Sequence, residues 1–90
     1  GALELRRTRI DVAEVVRNAI ETVQPLIDAA GHRLEVLLPP QPMALDGDTV
    51  RLAQILANLL NNAAKYTDPG GRIVVSATRE GAFAAIRVRD

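Results

Sequence analysis

The chain has no cysteine, no tryptophan and a single histidine, and only one tyrosine and one phenylalanine in 90 residues. The missing cysteine excludes disulfides and thiolate metal centres. One histidine, His32, cannot build a zinc site alone. With only Tyr66 and Phe83 as aromatic side chains, no platform exists on which successive bases could stack. Charge of one sign is not in excess either: 11 basic residues balance 11 acidic ones. Surfaces that track phosphate backbones need clustered positive charge, so the balance gives no support to a nucleic-acid partner. No apolar run approaches the roughly 18–20 residues needed to cross a bilayer, and no signal-peptide pattern opens the chain.

What is present is aliphatic. Hydrophobic residues make up 48% of the chain, ample for the core of one small domain. Leu3, Leu5 and Ile10 alternate loosely, as a short first strand would. A helix is predicted over 11–30. Asp11 and Glu14 have capping-box spacing, and Ile10 and Val15 have that of a hydrophobic staple. Val12, Val15, Val16, Ala19, Ile20, Val23, Leu26 and Ile27 then recur at helical intervals. Pro25 predicts a kink or irregular turn inside that run, and Gly31 suits the position just past its end. Residues 33–38 read as a strand, broken by Pro39, Pro40 and Pro42. A short strand at 43–45 precedes a turn at Asp46-Gly47. A second helix is predicted over 48–66, capped by Asp48 and stopped by Thr67-Asp68-Pro69-Gly70-Gly71. Two alternating stretches, 72–79 and 82–89, read as a hairpin joined by Glu80-Gly81. The order predicts an α+β fold: a two-layer sandwich with two long helices on one face of a mixed or antiparallel sheet.

The second helix carries the chemistry. At about 100° per residue, Leu52, Ile55, Leu56, Leu59 and Ala63 form one stripe, predicted to face the core. Arg51, Gln54, Asn58, Asn61, Asn62 and Lys65 form the opposite one. Asn58 and Asn62 are one turn apart, and Lys65 follows three residues later on nearly the same face. Asparagine offers a neutral carbonyl oxygen that a hard cation such as Mg²⁺ accepts, and Mg²⁺ takes few protein oxygens when phosphate supplies others. Lys65 would add a positive point charge for that phosphate. Asparagine is a mediocre helix former, and three within five residues is a local conflict of the kind found at functional sites. Taken alone, the same polar stripe also suits the solvated side of any surface helix.

The wider string distinguishes the two. Asp48-x-x-Arg51-Leu52-x-Gln54-Ile55-Leu56-x-Asn58-Leu59-Leu60-x-Asn62-Ala63-x-Lys65-Tyr66-Thr67, followed by Gly70-Gly71 and an alternating strand, resembles the N-box of bacterial sensor histidine kinases, members of the Bergerat-fold ATPases. The resemblance covers most of the chain. Residues 1–9 look like the handover from the family's dimerisation helix, and 10–90 like the first part of its ATP-binding domain, an incomplete Bergerat fold. The resemblance implies that Asn62 coordinates Mg²⁺, that Asn58 contacts phosphate or orders the site, that Lys65 binds phosphate and that Tyr66 lies beside the nucleotide. Asp90, at the end of Ile86-Arg87-Val88-Arg89-Asp90, matches the aspartate that accepts a hydrogen bond from the adenine amino group. Asn61 falls at a variable position and is given no role.

The resemblance further implies ATP and Mg²⁺ as cofactors. It implies autophosphorylation of a histidine on a separate dimerisation domain, relay to a response regulator, and a cytoplasmic location with a parent that can be anchored in the inner membrane. The phospho-acceptor histidine is not matched here: His32 reads as a solvated loop residue. The glycine boxes and lid of the family are also not matched. The stretch by itself is therefore expected to have no kinase activity, to bind ATP weakly, and to offer a sheet edge for self-association. Two alternatives remain: a Bergerat-fold serine kinase acting on a sigma-factor pathway, and a degenerate module that only dimerises or docks.

Overall fold

The computed structural model describes residues 8–90; the alternation at Leu3 and Leu5, and most of the 1–9 handover, lie outside them. Strand β1 (Thr8–Asp11) leads directly into helix α1 (Val12–Ala29), followed by β2 (Arg33–Leu37), β3 (Ala44–Gly47), helix α2 (Thr49–Tyr66), β4 (Arg72–Glu80) and β5 (Phe83–Arg89). The fold is α+β. A mixed three-stranded sheet runs in the order β2-β4-β5, with β2 parallel and β5 antiparallel to β4. A separate two-stranded ribbon joins β1 and β3 antiparallel, with Ile10 opposite Leu45.

Local chemistry accounts for the element ends. Asp11 caps α1, its carboxylate accepting from the Ala13 N–H at 3.0 Å. Replacing Asp11 with alanine should cost about 1 kcal/mol, read as a lower unfolding midpoint in urea. At the other end Gly31 has φ 65°. Its N–H donates to the Asp28 carbonyl and the His32 N–H to that of Ile27, a Schellman closure. The left-handed backbone there is strained for any residue with a Cβ. Asp48 caps α2 through the Arg51 N–H at 3.1 Å.

The core is aliphatic throughout. Val12, Val15, Val16, Ala19, Val23 and Ile27 line the inner face of α1, and Leu56, Ala57, Leu60 and Ala64 that of α2. The two helices pack on each other. Beneath them Ile73, Val75 and Ala77 alternate inward from β4, with Ile86 and Val88 of β5 half-buried beside them. On β2 the matching residues are Leu34, half-buried, and Val36, exposed because β2 is an edge strand.

Three local expectations change. The hairpin connection is Gly81-Ala82 rather than Glu80-Gly81, because Glu80 pairs with Phe83; Gly81, at φ 63°, takes the first turn position. Asp46 and Gly47 are not a turn: both belong to β3 and pair with Arg9 and Thr8. Helix α1 is continuous through Pro25, although the ring removes one N–H donor from the helical ladder.

The largest correction concerns the phase of α2. Ile55 and Leu59, expected to face the core, are 53% and 48% exposed, while Leu60 is completely buried. Ala53, Ala57 and Ala64 take inward positions in their place. The buried stripe is thus rotated by roughly one residue, about 100°. Side-chain size misled the sequence reading. The inward positions are shared between leucines and small alanines, and an alanine carries little weight in a hydrophobic pattern even where it is buried.

Candidate functional site

Rotation of the helix leaves Asn58 and Asn62 opposite the buried stripe. Both are exposed, as are Asn61 and Lys65. Tyr66 is 75% exposed, and the Lys65 ammonium lies 5.7 Å from the centre of its ring, within cation–π range. Lys65 also sits in the last turn of α2, where a cation complements the negative end of the helix dipole. Ile55 and Leu59, freed from the core, add apolar surface along the flank of Asn58 and Asn62. This strip therefore offers neutral amide oxygens, an ammonium group, an aromatic ring and aliphatic surface along one side of one helix.

Asp90 reaches the same region by strand register. Arg89 pairs with Val74 near the start of β4, and β4 begins just after the loop that follows α2. The C-terminal end of β5 therefore lies at the same end of the sheet as Lys65 and Tyr66. Helix α2 and β5 also pack together. Asp90 is exposed.

The donor set fits a hard cation held largely by phosphate and water. Among the described residues, no cluster of three or more histidine, cysteine, aspartate or glutamate side chains could hold a metal without such help. Amide oxygens with an ammonium nearby suit an anion-bound Mg²⁺, which needs only one or two protein oxygens. The surface is open rather than enclosed. Three cavities, of about 190, 430 and 500 Å³, lie elsewhere, and none of these five side chains lines them.

His32 departs from its expected role. It is 8% exposed, and Nε2 lies 3.1 Å from the carbonyl oxygens of both Thr67 and Asp68. Both partners are acceptors, so Nε2 carries the proton. Nδ1 is buried and has no partner among the described residues; leaving such a group unpaired costs about 1–3 kcal/mol. The signal for this in the sequence is slight: a histidine just after a helix-ending glycine, at a position where an apolar residue often packs back on the helix.

Comparison with known proteins gives the family. The family described as histidine kinase-, DNA gyrase B- and HSP90-like ATPase matches residues 47–90, the segment that holds all five candidate residues. Histidine protein kinase DivJ of Caulobacter vibrioides is 39% identical over 74 residues, 82% of this chain and 12% of its own length. Sensor histidine kinase RcsC of Escherichia coli is 36% identical over 89 residues, 98% of this chain and 9% of its own. The chain belongs to the histidine kinase ATPase family. The fold agrees. The catalytic domain of histidine kinase ThkA superposes with a TM-score of 0.84 at 20% identity, over 96% of this chain and 57% of that domain. ThkA is also solved in complex with the response regulator TrrA. This ATPase segment spans only a small fraction of the curated kinases it matches. Among its described residues no helix is long and apolar enough to cross a membrane.

Proposed function

We propose that this ATPase segment forms the nucleotide-holding face of a sensor histidine kinase, with α2 as the wall against which Mg²⁺–ATP binds. The observation that carries the reading is the exposed Asn58, Asn62 and Lys65 stripe, free of carboxylates, on a helix whose other side is locked into the core. Asn62 would supply an oxygen to Mg²⁺, Asn58 would contact phosphate or order the site, and Lys65 would neutralise phosphate charge. Tyr66 would lie beside the nucleotide, and Asp90 would accept from the adenine amino group. Bound Mg²⁺ would withdraw charge from the phosphate oxygens. None of these residues is assigned the attacking role, which falls to the acceptor histidine, so their contribution is positioning and electrostatics, which carry most of phosphoryl-transfer catalysis.

In the full-length protein, the γ-phosphoryl group would pass to a histidine on a separate dimerisation domain and then to a response-regulator aspartate. The ThkA–TrrA complex supports that partner class by analogy. The 90 residues by themselves are expected to bind ATP weakly and to lack kinase activity, because the strip is an open surface with one wall. The serine-kinase and docking readings have no residue here that favours them.

Isothermal titration of the full-length protein with Mg²⁺–ATP, paired with detection of phosphohistidine, tests the reading. Saturable, Mg²⁺-dependent binding and phosphohistidine formation are expected; absence of both would refute it. Lys65→Ala should weaken Mg²⁺–ATP binding about tenfold or more, the value of a charge-assisted hydrogen bond. Its affinity should also respond less to added salt, because screening acts on the charge removed.

A further inference from the structure

Lys65 and Tyr66 occupy the final turn of α2, where helices fray; Ala64 seats this turn on the core, and His32 bonds to the backbone that follows it. The Schellman closure of α1 turns the chain back at Gly31 and drops the His32 ring against the segment following α2. There the Nε2–H is shared between the carbonyls of Thr67, the C-cap of α2, and Asp68, at 3.1 Å each. The Thr67 hydroxyl turns back to the Ala63 carbonyl at 2.6 Å. Two backbone bonds extend the junction: Gly70 N–H to the Ala30 carbonyl at 3.0 Å, and Arg33 N–H to that of Gly71 at 2.9 Å.

A histidine that merely filled space here could be an apolar residue of similar volume, with no polar atom to leave unpaired. This one keeps a buried Nδ1 with no partner among the described residues, while its Nε2–H serves the Thr67 carbonyl and shares the Asp68 carbonyl with the Gly71 N–H, which donates to it at 2.9 Å. We propose that His32 is a positioning residue: by holding the carbonyls of Thr67 and Asp68, it sets the last turn of α2 so that Lys65 and Tyr66 face the nucleotide alongside Asn62. The inference rests on the reading of α2 as the nucleotide helix.

The test is Mg²⁺–ATP titration of the full-length protein carrying His32→Leu, His32→Gln, His32→Asn, Lys65→Ala, and His32→Leu combined with Lys65→Ala. His32→Leu should weaken binding about tenfold. His32→Gln places an amide donor near the Nε2 position and should restore affinity to within about threefold, whereas the shorter His32→Asn should not. In the Lys65→Ala background, His32→Leu should cost clearly less than it does alone, about threefold, because the part of its effect that runs through Lys65 is already removed and only the part through Tyr66 remains. An equal loss in both backgrounds, or wild-type affinity in His32→Leu, would overturn the proposal. Should His32→Leu fail to fold, equal affinities of the Gln and Asn variants would overturn it, and retention by Gln alone would support it. Failure of the unmutated protein to bind Mg²⁺–ATP would remove the underlying reading and this one together. Normal binding with an indifferent His32 would remove this one only.

Discussion

Replacing Asn62 with alanine is expected to abolish Mg²⁺-dependent nucleotide binding and to lower autophosphorylation at least about a hundredfold, the scale seen when one preorganised electrostatic group is removed. The fold should not suffer. Asn62 is exposed, and alanine is the better helix former by several tenths of a kcal/mol, so the thermal midpoint should hold or rise slightly. This opposition makes the experiment informative: a loss of activity cannot be attributed to a loss of structure. Titration with and without Mg²⁺, beside a circular-dichroism melt, reads both quantities. Phosphohistidine formation at the normal rate in this variant would remove Asn62 from the site.

Replacing Leu60 with alanine should have the opposite signature, destabilising the domain by about 2–5 kcal/mol, toward the upper end because no part of the side chain reaches solvent. For 60–100 ordered residues each kcal/mol corresponds to roughly 4–8 °C in midpoint, so the midpoint should fall by at least about 8 °C. Leu59→Ala, one position earlier, should cost about 1 kcal/mol or less, since that side chain is 48% exposed. Urea unfolding of the pair compares the two directly. Equal costs, or a larger cost at Leu59, would mean that α2 is rotated from the orientation described.

The contrast between Leu59 and Leu60 shows where sequence reasoning stopped. That α2 is a helix with a polar and an apolar side was legible from spacing alone. Which of two neighbouring leucines faces inward was not, because both phases of the pattern contain large aliphatic residues. The choice depends on how closely α1 and the sheet approach, which is where Ala57 and Ala64 fit. The hairpin shows the same limit on a smaller scale. Gly81 marked a turn, but the register was off by one because either neighbour of Gly81 could complete the two-residue loop. His32 was misread for a related reason: its partners, Thr67 and Asp68, are more than thirty residues away and act through backbone carbonyls, which no side-chain pattern announces.

By itself the sequence determined the α+β class, the caps at Asp11 and Asp48, and the family to which the asparagine helix belongs. These depend on periods, caps and spacings that short stretches of chain carry in full. Only the tertiary structure decided that Leu60 rather than Leu59 is core, that β1 pairs with β3 outside the main sheet, that Asp90 lies at the same end of the sheet as Lys65, and that a buried imidazole fastens the end of α2. Each of these is a contact between segments distant in the chain, set by packing and strand register, and local sequence places almost no constraint on either.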